Sequence, residues 1–280
     1  MIIFKRVLLS ALHIAAVLAI MLVSQLLGAI VSELFSVNAI IDDLLYTAVY
    51  IGISLLLGYI YSKYILRIDF SVIGISKKPL DLRWLIIGLA LPLAITAFYL
   101  VFAEGTFVKT DYTTFLPVLF NSLVPVGIAA GFCEEFLFRG LMLRGLEKLL
   151  NRTAAVLIPS ILFASAHVFM IMNSATATDI ILLLAAGTAV GTMFSLIALA
   201  SGTVWTSAVV HALWNAVIIG GVFVIESPQY GIMASSFYRY DLLSNNLLLT
   251  GGAFGIESAL PAIIGYLAVS AVAFLYLKRR

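Results

Sequence analysis

Eight apolar runs, each about as long as a membrane span, occupy most of this 280-residue chain. They lie at about 7–32, 44–66, 84–103, 114–138, 154–173, 178–200, 203–225 and 258–277. About 20 apolar residues carry a helix across the hydrocarbon core. Lipid offers the backbone no hydrogen-bonding partner, so each run is expected to be helix rather than strand. The fourth is expected to continue to about Leu150 as an amphipathic extension, because Arg144, Glu147, Lys148 and Arg152 appear there. Only Ala200, Ser201 and Gly202 separate the sixth run from the seventh. The expected fold class is an all-α, polytopic transmembrane bundle of about eight spans.

Composition supports lipid as the solvent of the outer surface. The chain is 63% hydrophobic and 11% charged, against about 25% charged in an average soluble domain. The formal net charge of +2 makes no case for nucleic acid, and none is expected as a partner. Cys133 is the single cysteine, which excludes an intrachain disulfide and a cysteine-based zinc cluster. Lys5 and Arg6 precede a run too long for the apolar core of a cleaved signal peptide, so it reads as a retained first span.

The basic residues suggest an orientation. Thirteen of the 16 Lys and Arg residues fall on alternating connections: Lys5, Arg6, Lys63, Arg67, Lys77, Lys78, Arg83, Arg144, Lys148, Arg152, Lys278, Arg279 and Arg280. Lys109 and Arg239 fall on the opposite side, and Arg139 sits at a span end. The positive-inside rule then puts both termini in the cytoplasm. Two connections are longer: a cytoplasmic loop, 67–83, containing Lys77, Lys78 and Pro79, and an external loop, 226–257, rich in aromatics such as Tyr230, Tyr238 and Tyr240. Three segments are expected: 1–113 with the first three spans, a catalytic core at 114–225, and 226–280 with the external loop and last span.

Ionisable groups inside apolar spans are costly and are functional candidates by default. Gly131-Phe132-Cys133-Glu134-Glu135-Phe136-Leu137-Phe138-Arg139 ends the fourth run. Glu135 and Arg139 have the i, i+4 spacing of a helical ion pair, acid first, and read as a supporting pair. Glu134 points about 100° away from Glu135 and is left free to act as a general base. The fifth run holds Phe163-x-x-x-His167, and the seventh holds His211-x-x-x-Asn215 with both side chains on one face. His13, alone in the first run, reads as a hydrogen-bonding strut between helices. Cys133 reads as a small packed thiol.

One carboxylate, two imidazoles and a carboxamide on three helices suit hydrolysis of a peptide bond. Glu134 with His167 could hold and deprotonate a water, and His211 with Asn215 could donate hydrogen bonds to the tetrahedral oxygen. Equally, Glu134, His167 and His211 could hold one divalent metal, zinc by donor type, with a water in the open position. There is no His-Glu-x-x-His helix and no intramembrane Asp pair, since Asp241 is expected in a loop. Ser76 lies in a charged connection and makes a poor nucleophile.

Glu134-Glu135-x-x-x-Arg139, Phe163-x-x-x-His167 and His211-x-x-x-Asn215, in this order on separate spans, resemble the three-motif signature of the CPBP family. That family comprises the CAAX prenyl endopeptidases and the bacterial abortive-infection and bacteriocin-processing or immunity proteins. The resemblance covers roughly residues 114–225. It implies an eight-helix intramembrane endopeptidase of a bacterial cell membrane, acting on a membrane-associated protein or peptide. Glu134 and His167 would activate water, His211 and Asn215 would face the oxyanion, and Glu135 and Arg139 would support them. Members are commonly classed as metallopeptidases, and metal-free glutamate catalysis is also argued. A non-catalytic immunity or scaffold protein of the same fold is the alternative; a proton- or ion-relaying transporter fits less well, for want of symmetric halves.

Overall fold

The structure is a computed structural model and describes residues 2–76, 78–109, 115–230 and 236–279. Lys77 and Arg280, two of the basic residues counted above, lie outside the described residues. The long helices are α1 (Ile2–Leu34), α2 (Ala39–Ile60, continued by a wide turn at Tyr61–Leu66), α3 (Leu82–Phe102) and α4 (Phe115–Leu149). They continue as α5 (Arg152–Ile171), α6 (Ala177–Ser201), α7 (Val204–Ile218) and α8 (Leu260–Lys278). Seven of these are long and apolar enough to cross a membrane, and α7 is a shorter apolar helix. Large apolar side chains such as Leu22, Ile86, Phe169, Ile181 and Leu275 stand exposed on the outer surface. An apolar exterior of this extent is what a bilayer solvates. The chain is thus an all-α polytopic bundle and an integral membrane protein.

Local chemistry sets the helix starts. Asn38, Asp81, Asn151, Thr176 and Thr203 each accept a backbone N–H from the first turn they precede. Thr176 and Asp179 form a reciprocal capping box. Gly202, in the left-handed conformation, closes α6 and lets α7 begin two residues later.

α4 runs unbroken to Leu149, as the amphipathic extension predicts, but it is not regular. Wide turns at Ser122–Ala130 and Phe136–Met142 flank an ordinary α-helical segment, Gly131–Glu135. Such π-type turns recur at functional sites.

Contacts between sequence-distant residues define the two ends of the bundle. At one end the carbonyl of Gly74 accepts hydrogen bonds from Thr203 Oγ1 and from the Val204 N–H, and Arg83 donates to the Tyr276 hydroxyl. The described basic residues of the alternating connections gather there. At the other end, Tyr99 donates to the carbonyl of Leu249 and Tyr240 to that of Ala103.

A small sheet caps this second end, and the apolar periodicity does not predict it. It comprises β1 (Gly105–Lys109), β2 (Phe223–Glu226) and β3 (Tyr238–Leu242) in the order β1-β3-β2. β1 pairs antiparallel with β3, setting Phe107 opposite Tyr240, and β2 pairs parallel with β3. The seventh helix therefore ends at Ile218 rather than at 225: Gly220 and Gly221 follow, and the apolar run resumes as β2. Asp241, expected in a loop, is on β3.

Two buried cores meet inside the bundle. One joins Tyr99, Phe194, Trp214 and Tyr266 from α3, α6, α7 and α8. The other joins Val17, Tyr50, Phe136, Leu141 and Phe163 from α1, α2, α4 and α5.

Candidate active site

Glu134, His167, His211 and Asn215 all line one cavity of about 600 Å³, between α4, α5, α6 and α7. Its wall runs from Pro125 and Val126 early in α4 to Met170 and Ile171 at the end of α5, then to Leu183 early in α6 and Ile219 just past α7. Every one of these lies toward the end of its helix that carries the sheet. The cavity therefore belongs to the end of the bundle opposite the basic residues.

The EE-x-x-x-R segment divides its acids as the 100° rule requires. Glu135 turns inward, fully buried, and accepts a 2.8 Å hydrogen bond from Arg139 Nη1. Arg139 donates from Nη2 to the carbonyl of Gly191 at 3.1 Å, and its guanidinium lies 4.7 Å from the centre of the Phe163 ring. At that distance the cation is attracted by the face of the ring. Glu134 turns toward the cavity, with 17% of its side chain exposed. It takes no part in that ion pair.

His211 connects the two carboxylates. Its Nδ1 is 3.1 Å from Glu135 Oε1, the oxygen that Arg139 also holds. Its Nε2 is 3.8 Å from Glu134 Oε2, too far for a direct hydrogen bond and enough for an oxygen atom touching both. Spacing along the chain does not disclose this link from Glu135 to His211. It also makes His211, rather than His167, the imidazole nearest Glu134. The ring is clamped by Phe194, stacked at 4.4 Å, and by the edge contact with Phe163.

His167 is held from its own helix: Nδ1 is 2.8 Å from the carbonyl of Phe163, one turn back. That assigns its proton to Nδ1 and leaves Nε2 free. Phe163 lies against this ring too, at 4.6 Å. The aromatic of the Phe163-x-x-x-His167 pattern thus touches Arg139, His167 and His211 at once. Asn215 donates from Nδ2 to the carbonyl of Val126 at 2.9 Å, inside the first wide turn of α4. Close packing makes the approach possible, because a Cβ on Gly131 would lie 2.8 Å from the Ala212 nitrogen of α7.

Glu134, His167 and His211 are the right donor types for zinc, and each imidazole has its Nδ1 committed to an acceptor, as metal-binding histidines do. Their spacing does not fit. Among the described residues no three His, Cys, Asp or Glu groups stand close enough to hold one ion.

One acidic wall residue comes from outside the three motifs. Glu257 sits on a short glycine-rich strap just before α8, and its Oε2 accepts a 2.8 Å hydrogen bond from Trp214 Nε1–H. Burial pushes its carboxyl up from the ordinary carboxylate range, against the downward pull of the Trp214 hydrogen bond and the His167 and His211 imidazoles. The only sequence signal for it is an acid directly before the last apolar run.

His13 and Cys133 stand apart. His13 Nε2 lies 3.2 Å from the carbonyls of Leu141 and Met142, and Nδ1 lies 2.8 Å from the Tyr61 hydroxyl, which ties α1 to α4 and α2. Cys133 is fully buried in the second core.

Residues 115–217 match the family model described as type II CAAX prenyl endopeptidase Rce1-like. No curated protein matches the chain. The matched segment begins with α4 and closes just after Asn215, so it contains every polar residue of the three motifs.

Proposed function

We propose, from the match of residues 115–217 to the family model described as type II CAAX prenyl endopeptidase Rce1-like, a Glu134-driven hydrolysis of peptide bonds in a membrane-associated protein or peptide. The chain is a CAAX-type membrane endopeptidase in this general sense. The observation that carries the mechanism is the orientation of the two adjacent acids: Glu135 is held through Oε1 by Arg139 and His211, and Glu134 faces the cavity.

In this reading a water sits between Glu134 and the imidazoles. Glu134 takes its proton as the oxygen attacks the scissile carbonyl. Asn215 has one amide N–H left after serving Val126, and it donates to the developing oxyanion. His211 is the second member of that pair when its ring carries a hydrogen on each nitrogen, Nδ1–H held by Glu135 and Nε2–H donated to the oxyanion. His167 holds the water from the opposite wall through its free Nε2. No step is routed through a metal, because the donor spacing does not gather three ligands. The catalytic core is 114–225, with the first three spans and the last one supporting it.

The basic end is the cytoplasmic end in this account. The cavity then opens away from the cytoplasm, and the bond to be cut is reached from the outer side. Replacing Glu134 by Gln keeps the volume and removes the base, and cleavage by that variant at the wild-type rate would overturn the proposal.

A further inference from the structure

The strap that carries Glu257 is built to deliver that residue. Gly251, Gly252 and Gly255 adopt positive φ, a region open to glycine and strained for other residues. Ser258 Oγ donates to the carbonyl of Gly251 at 2.7 Å, and the Ala253 N–H donates to Asp179 Oδ1 at 3.3 Å, pinning the strap to the start of α6. The Tyr266 hydroxyl donates to the backbone carbonyl of Glu257 at 3.1 Å. Phe254 of the same strap meets the His167 ring edge-on at 5.7 Å. Backbone and side chain of Glu257 are therefore both fixed, and both by residues that surround the cavity.

Trp214 lies between His211 and Asn215 in sequence, and its indole occupies Oε2 of Glu257. Oε1 makes no hydrogen bond among the described residues, and Glu257 lines the cavity. Burial favours the protonated carboxyl, whose hydrogen then belongs on Oε1, since Oε2 already accepts the indole N–H.

Peptide hydrolysis needs two proton movements. An amine departs from a tetrahedral intermediate only once its nitrogen is protonated, and Glu134 alone must otherwise do both jobs. We propose that Glu257 is the general acid, donating the proton of Oε1 to the leaving amine from the wall formed by the strap. The balance is closed. Glu134 removes a proton from water as the C–O bond forms; the C–N bond breaks as its electron pair takes the proton of Glu257. The Glu257 carboxylate left behind keeps the Trp214 N–H, and the proton on Glu134 returns to it through water. This role rests on the peptidase reading and adds a residue from outside the matched segment.

The test compares two leaving groups. The probe is a fluorescence-quenched peptide selected from a mixed library as one that the full-length wild-type protein cleaves in detergent micelles. A second probe carries the same acyl portion on a 4-nitrophenyl ester, whose leaving group departs without a proton. Glu257→Gln keeps an acceptor for Trp214 and removes the acid. Its kcat on the peptide should fall by about 100-fold and on the ester by less than about threefold, general acids contributing 10²–10⁴. Retained ester turnover also reports that the site is folded. Trp214→Phe, which removes the indole donor and keeps the carboxyl, should cause a smaller loss, again on the peptide alone. Equal losses on both probes, or an unimpaired peptide rate in Glu257→Gln, would overturn the assignment. A wild type that cleaves no library member, or a Glu134→Gln variant that cleaves normally, would instead overturn the peptidase reading beneath it.

Discussion

Nδ1 of His211 lies 3.1 Å from the Glu135 carboxylate, whose same oxygen is held by Arg139 at 2.8 Å. The ion pair inside α4 therefore sets the tautomer and tilt of an imidazole on α7. Removing one partner of a buried pair leaves the other charge uncompensated and costs about 3–5 kcal/mol. Glu135→Gln and Arg139→Met should each lower the melting temperature in micelles, and the double variant should lie above the lower single. Turnover should fall in all three, because the group that orients His211 either loses its charge or loses the guanidinium that fixes it. A double variant with wild-type activity would show that the link has no part in catalysis.

Helix proximity makes a second prediction. A Cβ on Gly131 would meet the backbone of α7 at Ala212 and Ala208. Gly131→Ala should push α4 and α7 apart, at about 1–3 kcal/mol for an overpacked contact, and widen the gap from Glu134 to His211. Both melting and turnover should drop. Gly52→Ala is the control, since nothing lies within 4 Å of a Cβ there, and it should melt no lower than wild type.

His13 should behave as a strut. Its ring nitrogens meet the carbonyls of Leu141 and Met142 and the Tyr61 hydroxyl. His13→Ala strands these groups, each worth about 1–3 kcal/mol when buried and unpaired. Melting should fall, with turnover per folded molecule unchanged below the transition. A folded His13→Ala protein without activity would contradict the structural role.

The orientation can be read by labelling. In a Cys133→Ala background, a single cysteine at Lys109, on β1, should react with a membrane-impermeant maleimide in intact cells. One at Lys78, in the connection between α2 and α3, should react only after lysis. The reverse pattern would turn the cavity toward the cytoplasm.

Much of this was readable from apolar run length, because span length and backbone satisfaction leave helix as the single solution in lipid. The Glu135–Arg139 pair followed from i, i+4 spacing alone. The end of α7 did not. Ile219 to Ile225 is as apolar as the helix before it, and hydropathy cannot tell a short strand from a further helical turn. The sheet was hidden for the same reason. The bond from His211 to Glu135 joins residues 76 positions apart, and no local period reports a contact of that range. Glu257 was unreadable as a site residue, since its place depends on three glycines in positive φ and on an indole from another helix.

The central claim is that Glu134, facing the cavity while its neighbour is locked in an ion pair, is the base that activates water. Steady-state cleavage of a quenched peptide by purified Glu134→Gln protein in micelles, with melting measured alongside, tests it most directly. The account predicts an unchanged melting temperature and turnover reduced at least about 100-fold, the contribution of a general base. A folded Glu134→Gln protein cleaving within about threefold of wild type would contradict it.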